Sequence, residues 1–210
     1  MAGDKSLTVL ENAFDSLARM AASVDEAPNR LAIKPLLIWS WHAFGFFVCD
    51  RLRTKPELLP LWIQDRLSCG HPALIVERDA RWGPGELLSP IQMIDLLSAP
   101  DLPCVAPGMH SGWELPADAC RQLRERIGRI HPLHLDAGQQ QDLLLLLALH
   151  RRLIELPAPF RYDNSEAYRA LPTLLFCLDA LAPAGWSAGV SISTERVRAA
   201  LPLLIPGAGT

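Results

Sequence analysis

The fold is decided by residues 36–52, LLIWSWHAFGFFVCDRL, a run that is apolar on nearly every face of a helix. A surface helix has one apolar stripe, whereas a helix that is apolar all round is buried among other elements. Pro35 is tolerated only near a first turn, so the helix is predicted over about residues 31–54. We therefore expect this helix to lie at the centre of a helical bundle.

Start signals place further helices around it. Thr8-x-x-Glu11 and Asp136-x-x-Gln139 match the capping box, and Ser89 precedes Pro90 as an N-cap precedes a first-turn proline. These signals, together with apolar spacing and proline stops, predict helices at about 7–23, 89–97, 117–130, 136–156, 165–182 and 194–204, the last capped by Ser193 or Thr194.

The predicted fold is therefore mainly α, a bundle of four or more helices with at most one short strand or hairpin. The strand candidate is 72–77, PALIVE. We expect residues 1–156 to form the bundle and residues 157–210 to add a C-terminal helical extension packed on it.

Composition indicates a soluble globular protein. Half of the residues are hydrophobic and a fifth are charged. The uncharged stretch 35–49 is too short and too polar to span a bilayer, and the N-terminus does not resemble a secretory signal. Five cysteines without paired spacing indicate no disulfide framework. We therefore expect a cytoplasmic protein without membrane contact, and no metal or other cofactor.

The candidate functional stretch is 121–134, RQLRERIGRIHPLH. Residues 121–152 carry six Arg against three acidic residues, a balance of +3 in a chain whose net charge is −3. Guanidinium groups bind phosphate with forked hydrogen bonds, and imidazole transfers protons near neutral pH. A basic patch on an acidic body favours a confined phosphate site over a long nucleic-acid track.

Three stretches give the chain a pattern-level resemblance to the HEPN superfamily of helical toxin and defence proteins, over about residues 7–156. Residues 10–17 followed by 41–52 look like the opening helix pair. Residues 71–79 and 89–97 look like the connector and third helix of one subgroup. LRERIGRIH, 123–131, looks like the family's R-x4–6-H motif, ahead of a long helix.

This resemblance implies a metal-independent endoribonuclease, acting as a toxin or defence effector, with a composite site at a homodimer interface and an antitoxin or complex partner. His131 would be the acid–base group, and Arg126 or Arg124 would hold the scissile phosphate of RNA. The remaining phosphate-binding candidates are Arg121, Arg129, His134, Arg151 and Arg152.

A non-catalytic function is the alternative. The family usually has a small polar residue after the motif arginine, whereas Ile127 follows Arg126. The chain would then be a HEPN-like binding or assembly subunit of a defence or nucleic-acid-processing complex. The two functions differ in geometry, because a nuclease needs its Arg and His side chains to converge in an accessible cleft.

Overall fold

The computed structural model describes residues 8–26, 33–61, 63–64, 88–105, 116–155 and 164–204 of the chain. These residues form seven α-helices and no strand, which confirms the mainly α prediction. The helices are α1 (Val9–Glu26), α2 (Ile33–Arg53), α3 (Pro90–Leu97), α4 (Ala117–Ile130), α5 (Ala137–Glu155), α6 (Asn164–Leu181) and α7 (Ser187–Leu204), with a 3₁₀ turn at Pro56–Leu58. The strand candidate at 72–77 lies outside the described residues.

Helix α2 is the centre of the bundle, as its apolar sequence predicts. Trp41, Phe44 and Phe47 are each at most 1% exposed. The helix packs against α1 on one side and α6 on another, and it also contacts α3, α4 and α5. Burying such large side chains contributes about 1.5–3 kcal/mol each before entropy is counted, so α2 supplies much of the drive to fold.

The C-terminal helices belong to the same hydrophobic cluster as the rest. Helix α6 packs on α2 and α5, and α7 packs on α1 and α6. Buried residues of both helices, such as Leu174 and Val197, are part of one contiguous core with α1 and α2. The C-terminal segment therefore helps to complete the bundle.

The capping signals form as the sequence predicts. The side chains of Thr8 and Glu11 bond to each other's backbone N–H groups, and Asp136 and Gln139 do the same. Ser89 caps α3 in a third reciprocal box. The last helix differs, because it begins at Ser187 and runs through the predicted cap position, Thr194.

The end of α3 is tied to the segment after α4. Ala99 donates its N–H to the Leu135 carbonyl at 2.9 Å, and Leu135 donates to the Leu97 carbonyl at 2.8 Å. This pairing is an isolated bridge between Ser98 and Leu135. It fixes α3, the end of α4 and the start of α5 relative to one another, and so positions the candidate residues.

Candidate functional site

Helix α4 carries four of the eight candidate residues and ends as predicted. Its last residue is Ile130, and His131 has extended backbone angles (φ −145°, ψ 129°). Pro132 disfavours helical geometry at the residue before it, which accounts for this end. The two halves of the R-x4–6-H motif therefore lie on different structures, the arginines on the helix and the histidine beyond it.

Arg124 is buried in a network of hydrogen bonds. Its side chain is 1% exposed and that of its ion-pair partner, Asp95, is 0% exposed, with Nη2 and Oδ1 3.0 Å apart. Nε donates to the Asp95 carbonyl at 2.7 Å. Nη1 donates to the carbonyls of Ala99 and Leu102, and Nη2 also donates to that of Pro103.

These contacts give Arg124 a structural function. A guanidinium has five N–H donors, and all five are engaged here. Burial lowers the pKa of Arg124, and the charge of Asp95 acts in the opposite direction. With no donor left and no solvent access, Arg124 does not reach a phosphate in this conformation. We therefore leave it out of any RNA site, in contrast to the expectation from the motif.

Arg126 points away from Arg124. Residues two apart on a helix are separated by about 160°, so burial of Arg124 leaves Arg126 on the solvent side. Arg126 and Arg129 are both exposed, and neither has a hydrogen bond or ion pair with any residue that the structure describes. Arg121 is also exposed, but it pairs with Asp118 at 3.0 Å. The outer face of α4 therefore offers two guanidinium groups for an anionic ligand.

His131 is half-buried and faces helix ends. Its Nδ1 accepts a hydrogen bond from the Leu133 N–H at 3.2 Å. The ring lies near the backbone of Ala180, at the end of α6. Burial and the neighbouring Arg51 lower the pKa of His131, and the Ala180 backbone acts to raise it.

Arg51 is a partner that the sequence motif did not reveal. Its guanidinium donates to the Leu181 carbonyl at 2.9 Å and to the Ala182 carbonyl. The last carbonyls of a helix lack partners within the helix, and a cation there also complements the helix dipole. Arg51 therefore caps the C-terminus of α6. Because its guanidinium is engaged by these carbonyls, Arg51 does not form an open Arg–His pair with the neighbouring His131.

His134 is exposed and lies over Gly128. A Cβ added at Gly128 would be 2.5 Å from both Cε1 and Nε2 of His134, so the ring occupies the place of a side chain there. Arg151 and Arg152 lie elsewhere, about 20 Å along α5 from its first residue. Helix α5 packs against α2, α3 and α6. The predicted phosphate-binding residues are therefore dispersed over at least two surfaces.

The motif residues do not converge within one chain. Arg124 is buried against α3, Arg126 faces solvent, and His131 faces the end of α6. In the part of the chain that the structure describes, no group of three His, Cys, Asp or Glu is placed to hold a metal ion. His71 and His110 lie outside that part.

Comparison with known proteins adds no assignment. No protein-family model, curated protein or solved structure matches the chain. The HEPN family therefore stays a prediction, supported by pattern alone. Among the described helices, none is long and apolar enough to cross a membrane.

Proposed function

We propose that the chain is a non-catalytic helical binding module that holds RNA phosphates with the solvent-facing arginines of α4. One observation carries this proposal: the three motif side chains point in three directions, and only Arg126 is free for a ligand. Arg129, one turn further on, offers a second guanidinium on the same face. Arginine is well suited to phosphate because its fork matches the phosphate oxygens.

The competing proposal, a metal-independent HEPN ribonuclease, needs a different arrangement. General acid–base catalysis requires an imidazole nitrogen within hydrogen-bond reach of the ribose hydroxyl or leaving oxygen. Nδ1 of His131 is engaged by the Leu133 N–H, and the ring is half-buried and lies away from Arg126. A nuclease would have to bring the ring and Arg126 together, or build its site across a homodimer. The dimer, the antitoxin and the toxin or defence function stay predictions.

RNA binding by α4 is tested with fluorescence anisotropy, using a labelled 20-nucleotide single-stranded RNA of mixed sequence in EDTA. The Arg126→Gln/Arg129→Gln variant is compared with Arg19→Gln/Arg169→Gln, which removes the same charge from exposed positions of α1 and α6. Each lost phosphate contact reduces the slope of log K against log salt by about 0.7 for single strands. We expect the α4 variant to bind more weakly, with a slope smaller by about 1.4, and the control variant to behave as the wild type.

Two results would count against this proposal. An equal loss of RNA affinity in both double variants would mean that binding depends only on the total charge of the protein. No measurable binding by the wild type at low salt would exclude RNA as the partner of this surface.

A further inference from the structure

A disulfide joins the two sides of the α3–α4 connection. Cys104 lies in the segment after α3 and is half-buried, and Cys120 lies in the first turn of α4 and is 3% exposed. They are 16 residues apart in sequence. The cysteine spacing alone predicts no such pair, so the bond is a finding of the structure.

The segment that holds Cys104 is also fixed by bonds that do not involve sulfur. Arg124 binds the carbonyl of Pro103, the residue before Cys104. Asp95 accepts the N–H of Val105, the residue after it, at 2.7 Å. Because Arg124 and Asp95 are themselves paired, Cys104 stays beside α4 through this ion pair even when the disulfide is open.

The other described cysteines are poor redox groups. Cys49 and Cys177 are both 0% exposed, and burial raises the pKa of each thiol to about 12. The reactive form of cysteine is the thiolate, so both are inert near neutral pH. Cys69 lies outside the described residues. Cys104, by contrast, is half-buried and lies in the segment after α3, where a small thiol reaches it more readily.

We propose that Cys104 and Cys120 form a reversible thiol–disulfide site, opened and closed by a low-molecular-weight thiol and its disulfide, such as the glutathione couple, while the bundle stays folded. A glutathione thiolate attacks Sγ of Cys104, the less buried of the two residues, and the Sγ–Sγ bond breaks. Cys120 leaves as a thiolate. A mixed disulfide remains on Cys104.

The mixed disulfide then reacts in one of two ways. Attack by another glutathione thiolate on the glutathione sulfur releases glutathione disulfide and leaves two protein thiols, so two electrons enter the protein. Return attack by the Cys120 thiolate on Cys104 expels glutathione and re-forms the bond. The ion pair keeps the two sulfurs close, which favours the return step because the reaction is then intramolecular. The oxidation state thus decides whether one or two attachments hold this segment to α4.

The test is a redox titration of the intact wild-type chain in glutathione buffers of varied ratio, followed by acid quenching, thiol alkylation and peptide mapping. We expect the Cys104–Cys120 linked peptide to appear and disappear across the series while the helical circular-dichroism signal stays constant. Closing a loop of this length adds roughly 6–12 °C to the melting temperature of a protein of this size. Cys104→Ser should stay folded and lose the dependence of melting temperature on the buffer.

Three results would overturn the proposal. The first is that the linked peptide does not form even in the most oxidising buffer. The second is that it forms but resists reduction until the protein is denatured. The third is that the oxidised form links Cys104 or Cys120 to Cys69.

Discussion

Replacement of Arg124 by methionine tests the structural function of this residue. Arg124→Met keeps much of the side-chain volume and removes the charge and all five donors. It leaves the Asp95 carboxylate buried at 0% exposure without the charge of Arg124. It also removes the guanidinium donors from the carbonyls of Leu102 and Pro103, and one of the two donors from that of Ala99. Breaking a buried pair in this way costs about 3–5 kcal/mol. For a protein of this size, that loss lowers the melting temperature by roughly 6–20 °C.

The matched control is Arg121→Met, on the same helix. Arg121 pairs with Asp118, but the two side chains are 54% and 81% exposed. Such surface pairs contribute about 0–1 kcal/mol, so this variant should unfold close to the wild type. Urea denaturation followed by circular dichroism measures the free energy of unfolding of both variants.

A third variant separates the ion pair from the other bonds. Arg124→Met/Asp95→Leu removes both charges, and we expect it to recover part of the stability that Arg124→Met loses. Recovery is incomplete because Asp95 also accepts the Val105 N–H. If Arg124→Met is as stable as Arg121→Met, Arg124 contributes no more than a surface charge and has no structural function.

Three further predictions concern other parts of the bundle. Burial lowers the pKa of His150 from 6.5 to about 4, so folding favours the neutral ring. The contribution of His150 to the free energy of unfolding is therefore complete above pH 6.5, and we expect about 3 kcal/mol of it to be lost as the pH falls to 4. Urea titrations at pH 7 and pH 4 check this, and His150→Phe should lose most of the difference. Adding Gly128→Ala to the His134→Ala variant should raise the free energy of unfolding by about 1 kcal/mol through helix propensity. In the wild type the same substitution should raise it by less, because the His134 ring must first move. Asp179→Ala should lower the free energy of unfolding by about 1–3 kcal/mol, because its carboxylate binds Arg198 at 2.6 Å in a partly buried contact. An unchanged melting temperature would contradict a stabilising function of this contact.

The local features of the fold could be predicted from the sequence. Helix α4 spans the predicted 117–130, because Pro132 sets its end and the apolar spacing sets its body. The capping boxes at Thr8, Ser89 and Asp136 depend on residues three apart, so they are readable from the chain alone.

The start of α7 could not be predicted in the same way. Thr194 looks like a cap in the sequence, but its hydroxyl donates to Asp179 of α6 at 2.7 Å and it is buried inside α7. This contact across two helices overrides the local signal. The helix therefore begins seven residues earlier than the predicted cap, at Ser187.

The candidate site was less predictable than the fold for a related reason. Arg124 and Arg126 both fit the motif. Arg124 is the buried one because it pairs with Asp95, which lies 29 residues earlier in the chain. Arg51 and Ala180, which both act on the pKa of His131, are likewise distant from it in sequence. A motif shows which groups occur near one another along the chain, but it does not show which of their side chains are buried and hydrogen-bonded in the fold.

We expect that Arg124, Arg126 and His131 do not act together on RNA. The most direct measurement is prolonged incubation of the purified chain with a mixed RNA pool in EDTA, beside His131→Ala and Arg126→Gln. We predict that the RNA stays intact with all three proteins, while the wild type still binds it. Cleavage by the wild type that disappears in both variants would contradict the claim, because the two side chains would then serve one active site.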